Sequence, residues 1–351
     1  MKRGLVFSKY DTLAAATRQR MVQAMPYLAQ EGIELQLAPL FDNAYLGGFF
    51  AQGKRPIAAI ASAYAKRLMM LTRMGAYDFI WVQYELFPYL PLEWLIRLTN
   101  KPVILDYDDA IFHQYDQHPN PLVRAALGRK LQGLMRRANM AFCGNNYLRE
   151  YVARYCNRAE IIPTVVDVAH YTPPISKDAN VLPTLGWIGS PSTWRYCQTI
   201  LPVLSSLVHA KQMHVLVVGA NHAADTSLPF EYRLWYEARE ISDIHAMDIG
   251  IMPIPDAPWA RGKCGYKLIQ YMACGIPVIA SPVGVNSEIV QHGVNGLLAS
   301  TPEEWQAAIN QLVGDAALRQ RLGQAGRKTV EERYSIQRYG PEIARLIHEV
   351  C

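Results

Sequence analysis

Two lysines, Lys263 and Lys267, lie on either side of a glycine turn at Gly265, where the sequence predicts the start of a helix. The first backbone N–H groups of a helix have no partner within it and carry partial positive charge, so they favour an anionic ligand. Phosphate and diphosphate groups commonly bind at such positions. We therefore predict that Lys263, Lys267 and the backbone of Gly265 stabilise a diphosphate. The alternative is that both lysines are solvated surface charges.

The residues after Gly265 predict one amphipathic helix and one buried strand. Residues three and four apart share a face of a helix. This spacing divides the predicted helix into an apolar face and a polar face. The apolar face contains Leu268, Ile269, Met272 and Ala273, and the opposite face contains Lys267, Gln270 and Cys274. We expect this second face to be open to a ligand. Glycine-rich turns at 283–286 and 292–296 then follow apolar runs, as loops do at strand ends in α/β sheets.

The segment from Lys263 to Leu298 resembles the signature segment of glycosyltransferase family 4, whose members have the GT-B architecture. The matching runs are 270–278 (Gln-Tyr-Met-Ala-Cys-Gly-Ile-Pro-Val), 281–290 (Ser-Pro-Val-Gly-Val-Asn-Ser-Glu-Ile-Val) and 295–298 (Asn-Gly-Leu-Leu). Gly262 and Gln270 occupy the positions of the family's two glutamates, so the chain is identified as a variant subgroup. The resemblance implies that Gln270 contacts the ribose of a nucleotide. Cys264 and Tyr266 are further candidates for donor binding, with small apolar packing as the alternative for Cys264.

The same resemblance implies two doubly wound, Rossmann-like α/β domains that face a cleft. We expect an acceptor-binding domain over 1–172, a nucleotide-sugar-binding domain over 183–334, and a C-terminal helix over 335–351 that crosses back to the first domain. A polar stretch from His170 to Pro183 is typical of an interdomain linker. The implied activity moves a hexose from a nucleotide diphosphate sugar to a glycan or lipid-linked acceptor. It retains the anomeric configuration and needs no metal or other cofactor.

A second candidate anion site follows the predicted strand at 185–189. Its candidate donor-binding residues are Gly189, Ser190, Ser192, Thr193 and Arg195. Relatives in the family place arginine and lysine in this loop, so the resemblance implies that hydroxyl groups here replace part of that charge. The alternative for Arg195 is an ordinary surface arginine.

An acidic cluster, Asp106-Tyr107-Asp108-Asp109, ends a predicted strand in the first half. The Asp-x-Asp spacing resembles the metal-binding motif of GT-A glycosyltransferases, in which carboxylates hold a divalent ion. The repeated α/β pattern favours a metal-independent site instead. The resemblance implies that Asp108 hydrogen-bonds the transferred hexose or orients the acceptor hydroxyl, with Asp106 and Asp109 binding the acceptor. The alternative is that Asp108 or Asp109 caps a helix that begins nearby.

Two further residues are candidates for acceptor binding. Glu85 ends another predicted strand, where it could serve as a base or as a binding residue, or be an ordinary loop carboxylate. Arg18, with Arg20 beside it, could hold an anionic acceptor such as a lipid phosphate. Solvated charges on a helix are the alternative for both arginines.

The remaining elements follow from apolar periodicity. A first strand at 4–7 precedes a helical pattern that contains Met21, Ala24, Met25 and Leu28 and stops at Gly32. Strands are predicted at 79–82, 103–105, 140–143, 161–162, 214–219 and 249–253, and a helix from Leu122 to Arg137. A last helix, begun by Gly340-Pro341, carries an apolar face of Ile343, Leu346, Ile347 and Val350.

Composition limits the classes of function. The chain has 351 residues and a formal charge of +5, and its cations are scattered, which argues against a nucleic-acid partner. Six cysteines without metal-ligand spacing, and the lack of a signal-peptide pattern, predict a cytoplasmic protein. The apolar, cationic run from Tyr64 to Met74 is typical of an interfacial helix with peripheral membrane contact, or of a core-packed helix with exposed cations. Rival functions are a nucleotide-sugar epimerase of the same fold and a non-catalytic nucleotide-sugar-binding protein.

Overall fold

The computed structural model describes residues 1–52, 56–174, 182–220 and 227–351, and side chains at 49–52 are left out of the description. The chain divides into two compact units. Unit 1 contains 1–164, 262–264 and 336–351, and unit 2 contains 165–261 and 265–335. Part of the predicted linker at 170–183 lies outside the described residues.

Unit 1 is built on a six-stranded parallel sheet in the order β2-β1-β3-β4-β5-β6. Its strands are β1 Lys2–Phe7, β2 Ile33–Leu37, β3 Phe79–Gln83, β4 Val103–Tyr107, β5 Met140–Cys143 and β6 Ala159–Ile161. All residues of β3, β4 and β5 are buried, which explains their continuous apolar runs. The strand order reverses between β1 and β3, and ligands of doubly wound sheets bind at the carboxyl ends of strands at such a point.

The helices of unit 1 include a C-terminal helix that packs on the N-terminal part of the chain. They are α1 Ala15–Arg20, α2 Met25–Gln30, α3 Asn43–Gln52, α4 Ile57–Leu71, α5 His113–Asp116, α6 Pro121–Leu127, α7 Lys130–Arg137, α8 Asn146–Val152 and α17 Ile336–Val350, with a 3-10 helix at Glu93–Leu98. Helix α17 contacts α2. Its Ile343, Ala344, Leu346 and Ile347 are buried, as the apolar periodicity predicts.

The predicted bounds of the last helix, 335–351, agree with the structure, but its predicted start at Gly340-Pro341 was wrong. Helix α17 begins at Ile336, and Pro341 lies inside it. Gly340 has a different role, because a Cβ at this position would clash with the ring of Tyr27. The glycine therefore permits close approach of α17 to α2, and the helix loses one backbone hydrogen bond at Pro341.

Two other regions that were each predicted as one continuous helix are interrupted in the structure. The region from Leu122 to Arg137 forms two helices, α6 and α7, of which α6 starts at an Asn120 cap and ends near Gly128. The first helical pattern is divided into α1, a 3-10 turn at Val22–Ala24 and α2. Gly32 does end this region, as predicted, with a φ of 73° that favours glycine.

Unit 2 contains a second six-stranded parallel sheet in the order β12-β11-β10-β7-β8-β9. Its strands are β7 Thr184–Ile188, β8 His214–Val218, β9 Glu231–Arg233, β10 Ile249–Met252, β11 Val278–Ala280 and β12 Leu297–Leu298. Counted within the unit, this is the 3-2-1-4-5-6 arrangement of a Rossmann fold read from the other edge. Its order reverses between β7 and β10, so a ligand is expected beside the carboxyl end of β7.

The helices of unit 2 cover both faces of this sheet. They are α9 Pro191–Trp194, α10 Leu201–His209, α11 Glu240–His245, α12 Pro258–Arg261, α13 Tyr266–Ala273, α14 Asn286–Ile289, α15 Pro302–Gly314 and α16 Ala316–Arg333. One apolar core contains Leu268, Ile269 and Met272 of α13, and another contains Leu204 of α10 and Trp305 of α15. The predicted α/β class is confirmed in each unit. Within the described residues, none of the helices has the length and apolar character that crossing a bilayer requires.

Candidate functional site

The loop after β7 in unit 2 brings Gly189 against the side chain of Lys267. A Cβ added to Gly189 would lie 2.5 Å from Lys267 Cε and 2.9 Å from the ring of Trp187. The ammonium group of Lys267 lies 5.3 Å from the centroid of the Trp187 ring, within the range of a cation–π contact. Lys267 belongs to the first turn of α13. Its side chain therefore links the start of α13 to the loop that follows β7. We call Gly189–Arg195 with the first turn of α13 the unit 2 edge.

The hydroxyl groups predicted to bind the donor are close together on the unit 2 edge. Ser190 Oγ lies 2.9 Å from Ser192 Oγ and 3.4 Å from Thr193 Oγ1. Ser190 and Ser192 are exposed, so these hydroxyl groups are accessible to a ligand. Arg195 is also exposed, and its guanidinium lies over the ring of Tyr196 at 5.3 Å.

Gly265 precedes α13 in a left-handed conformation with a φ of 67°. A Cβ at this position would clash with Ile289, so glycine is required by both conformation and space. At the other end of α13, Arg327 of α16 donates to the carbonyl oxygen of Ala273, and its second nitrogen donates to Val168 O at 2.8 Å. Both ends of α13 are therefore fixed by contacts within unit 2.

The prediction of an exposed polar face on α13 was wrong for two of its three residues. Gln270 and Cys274 are both buried. Gln270 Nε2 donates to the hydroxyl of Tyr171 at 3.2 Å, and that hydroxyl donates to Glu240. Tyr266 joins this network, with its hydroxyl 3.2 Å from that of Tyr171. Gln270, in the position of the family's second glutamate, is thus held by a buried network that already contains a carboxylate.

The acidic cluster of unit 1 begins with an ion pair that is fully buried. Arg20 holds the Asp106 carboxylate with two hydrogen bonds, at 2.9 Å from Nε and 3.2 Å from Nη2. It also donates to Ile162 O at 2.6 Å. Burial raises the pKa of Asp106 to about 6, although the arginine acts in the opposite direction. Asp106 is therefore a positioning residue for the end of β4 and is enclosed by protein.

Asp108 is held by Tyr84 from the neighbouring strand. The Tyr84 hydroxyl donates to Asp108 Oδ1, and Tyr84 has a φ of 62°, which is uncommon for a residue with a side chain. Burial raises the pKa of Asp108 above its ordinary value. The helix-cap alternative was wrong for Asp108, because α5 begins at His113 after Phe112, without a side-chain cap. Strained residues of this kind are found at functional sites, which favours Asp108 as a ligand contact.

Asp109 and the predicted phosphate-binding Lys263 form an ion pair within unit 1. Lys263 Nζ lies 2.5 Å from Asp109 Oδ2, and Asp109 Oδ1 accepts from the backbone of Ala110 at 3.0 Å. The next residue, Cys264, donates from Sγ to Asp108 O at 3.0 Å and is buried. Cys264 therefore packs beneath Asp108, in agreement with the apolar alternative. We call Asp106–Asp109 with Tyr84, Arg20, Lys263 and Cys264 the unit 1 edge.

Glu85 lies in a separate buried network. It accepts a hydrogen bond from Tyr115 at 2.6 Å and another from Lys130. Lys130 also lies 3.2 Å from Glu93. Glu85 is 1% exposed, so this carboxylate stabilises the loop after β3.

Arg18 and Arg20 have different environments. Arg18 donates to Thr12 O at 3.0 Å and to Leu13 O at 2.8 Å, and both acceptors lie in the loop before its helix. Sequence reasoning gave Arg20 no structural role, yet this is the residue that holds Asp106. Its spacing was a signal only of burial, because Arg20, Ala24 and Leu28 are four residues apart and all buried, although they belong to α1, the 3-10 turn and α2. Tyr84, Tyr171 and Glu240 were also missed, since only the folded chain brings them to Asp108 and Gln270.

The acidic residues are not arranged for a metal ion in the part of the chain that the structure describes. No group of three or more His, Cys, Asp or Glu side chains is placed to bind one there. Asp106 and Asp108, the pair with Asp-x-Asp spacing, accept hydrogen bonds from Arg20 and Tyr84 instead.

Comparison with known proteins identifies the domain that carries the unit 2 edge. Residues 182–315 match the family model described as glycosyl transferases group 1. This region carries a group 1 glycosyltransferase domain.

The chain is 30% identical over 163 residues to N-acetyl-alpha-D-glucosaminyl L-malate synthase of Bacillus anthracis. The aligned residues cover 44% of this chain and 42% of that protein. It is 33% identical over 95 residues to alpha-maltose-1-phosphate synthase of Mycobacterium tuberculosis, over 25% of this chain and 24% of that one. The matches thus span less than half the length of these curated relatives.

Solved structures confirm the GT-B fold of this chain. Anabaena Alr3699/HepE in complex with UDP has a TM-score of 0.73 at 16% identity, covering 99% of this chain and 100% of that one. Sucrose-phosphate synthase from Thermosynechococcus elongatus has a TM-score of 0.73 at 15% identity, covering 99% of each chain. At this identity the likeness shows the fold alone.

Proposed function

We propose that this chain transfers a hexosyl group from a nucleotide diphosphate sugar to a hydroxyl of a glycan or lipid-linked acceptor. The bond from the anomeric carbon to the diphosphate breaks, and a bond from that carbon to the acceptor oxygen forms. The acceptor proton passes to the departing phosphate oxygen. We propose that transfer occurs on one face of the sugar with retention of configuration, and that no metal ion takes part.

The observation that supports this proposal best is the position of Lys267. The residue lies at the first turn of α13 against Gly189, at the point where the strand order of unit 2 reverses. Preorganised cations and N–H dipoles lower the energy of a leaving group as negative charge develops on it. Such an arrangement suits a diphosphate, with the hydroxyls of Ser190, Ser192 and Thr193 as further donors. We assign the main cation to Lys267, because it lies against Gly189 in the first turn of α13.

In unit 1 we assign the contact with the transferred sugar or the acceptor hydroxyl to Asp108. Its carboxylate is oriented by Tyr84 and is partly exposed, unlike Asp106, which is enclosed with Arg20. An oriented carboxylate accepts hydrogen bonds from sugar hydroxyls. This assignment needs the ionised form of Asp108.

For the donor we propose a uridine diphosphate sugar as the first to test, because Anabaena Alr3699/HepE, which shares the fold, was crystallised with UDP-glucose. The purified chain is incubated with UDP-, GDP- and ADP-glucose and a panel of glycan acceptors, with and without EDTA. We expect release of the nucleoside diphosphate that depends on acceptor and is unchanged by the chelator. NMR of the product should show the same anomeric configuration as the donor.

Each part of the proposal can fail separately in this experiment. Strict dependence on a divalent ion would contradict the metal-independent mechanism, and an inverted product would contradict retention. Turnover of the donor without acceptor would indicate an epimerase. Tight nucleotide binding without product across the whole panel would indicate a binding protein.

A further inference from the structure

The solvent-facing side of α4 in unit 1 is apolar. Only Arg67 and Leu71 of this 15-residue helix are buried. Ile57 is 84% exposed, Leu68 44% and Met69 61%, and the exposed positions between them are mainly alanine. Lys66 is the one charged side chain that α4 exposes. A helix on the surface of a globular protein normally carries polar residues on its solvent-exposed face, and α4 does not.

A second exposed apolar segment adjoins α4. The Tyr64 hydroxyl donates to Pro88 O at 2.6 Å, and the 3-10 helix at Glu93–Leu98 contacts α4. Trp94 is 58% exposed and Leu98 65% exposed. We define the α4 patch as Ile57, Leu68, Met69, Tyr89, Trp94 and Leu98, all of them exposed.

The charge around the α4 patch is mainly positive, with Asp42 and Asp78 as exposed carboxylates at the two ends of the stretch 43–77. The sequence from Asn43 to Tyr77 contains no Asp or Glu. The glutamates between Phe79 and Lys101 are Glu85 and Glu93, and both are buried. The exposed cations that the structure describes near the patch are Lys66 and Arg73 beside α4 and Arg97 in the 3-10 helix. An apolar face with tryptophan, tyrosine and cations at its border is the composition of helices that lie at a membrane interface.

We propose that the α4 patch binds the surface of an anionic lipid bilayer. The apolar side chains enter the boundary between headgroups and acyl chains, while Lys66, Arg73 and Arg97 contact lipid phosphates. A second copy of the chain is a poorer occupant, because a symmetric dimer would bring these like charges together. The inference rests on the proposed function in one respect only, since a bilayer is where a lipid-linked acceptor is found.

Co-sedimentation with vesicles tests the proposal on the full chain. We expect binding to vesicles of equal parts phosphatidylcholine and phosphatidylglycerol, weaker binding as salt is raised, and little binding to phosphatidylcholine alone. Lys66→Glu and Arg73→Glu should each lower the partition coefficient by about fivefold or more, because one surface cation is worth about that factor. Leu68→Glu with Met69→Glu should lower it further. The matched control is Leu122→Glu, which changes another leucine of unit 1 that is 75% exposed and outside the patch.

Three results would overturn the proposal. They are absence of binding to the anionic vesicles, equal loss of binding in the Leu122→Glu control, and a dimer in solution that Leu68→Glu with Met69→Glu converts to monomer. Transfer to a soluble acceptor is measured in parallel and should be unchanged in the patch variants. Loss of vesicle binding with normal transfer therefore separates this inference from the proposed function, and vesicle binding can be scored even if no transfer is found.

Discussion

The carboxyl edges of the two sheets differ in how their charges are used. At the unit 1 edge, Asp106 is enclosed with Arg20 and Asp109 is paired with Lys263, so most of the charge is already compensated within the protein. At the unit 2 edge, Lys267 lies over an aromatic ring beside a glycine loop and exposed hydroxyls. Both edges belong to six-stranded parallel sheets. Similar topology therefore carries a charge-compensated edge in unit 1 and, in unit 2, the edge to which we assign the diphosphate.

The largest expected effect is on the stability of unit 1. Arg20→Leu leaves the Asp106 carboxylate buried without its partner, which should lower the free energy of unfolding by about 3–5 kcal/mol at neutral pH. Because Arg20 lowers the pKa of Asp106, its removal raises that pKa above the parent value of about 6. The loss should therefore shrink as the pH falls towards 6 and stay constant below it, where the carboxyl is protonated in both proteins. Urea denaturation at several pH values measures both effects.

The double variant Arg20→Leu/Asp106→Leu serves as the control, since it removes both charges and should recover much of the stability. A pH-independent loss in the single variant would mean that lost packing, and not an uncompensated carboxylate, is responsible.

In unit 2, substitution of Lys267 should lower turnover without affecting the fold. Lys267→Ala should lower kcat by about a hundredfold or more, the usual cost of removing one group that stabilises transition-state charge. Steady-state kinetics and thermal unfolding are measured on the same samples. Lys328→Ala, at a lysine of the same unit whose side chain is 75% exposed, is the matched control and should have normal kcat. Unchanged kcat in Lys267→Ala would remove this residue from the site.

A third substitution tests whether the buried network of unit 2 accepts the glutamate that the family resemblance leads one to expect. Gln270→Glu would place a second carboxylate beside the Tyr171 hydroxyl that already donates to Glu240. We expect a loss of about 1–3 kcal/mol in stability, because a buried group loses its hydrogen bond and like charges come close. Chemical denaturation above pH 7 measures this loss. A variant as stable as the parent would show that the network has room for both acids.

The smallest expected effect concerns Asp108, the carboxylate of unit 1 to which we assign the contact with the sugar or the acceptor hydroxyl. Tyr84→Phe removes a hydrogen bond that favours the ionised form of Asp108, and it should lower kcat/KM by about tenfold. Because loss of that bond raises the pKa of Asp108 further, the acid limb of the pH profile should move to higher pH. The parent limb should already lie above the ordinary aspartate value of 3.8. A profile that does not move would contradict a role for ionised Asp108.

Sequence reasoning was most successful where a pattern is local. Continuous apolar runs predicted β3, β4, β5 and β8 within a residue or two, and the glycine turn before α13 was recognised from Gly265. The resemblance identified the group 1 domain from residues 263–298. These features depend on neighbours in the sequence, so one sequence is enough to find them.

The errors arose where distant parts of the chain meet. Gln270 was predicted to face solvent, but Tyr171 and Glu240, which are remote in sequence, enclose it. Gly340-Pro341 fits the start of a helix, yet the glycine is there because Tyr27 packs against it. Periodicity predicts which face of a helix is apolar, and it does not reveal a polar partner that arrives from another element.

The most direct test of the central claim is a crystal structure of the chain with UDP. We predict that the diphosphate lies at the carboxyl end of β7, with an oxygen about 3 Å from Lys267 Nζ and others near the backbone N–H groups of α13. A diphosphate bound elsewhere, with Lys267 still over the ring of Trp187, would contradict it.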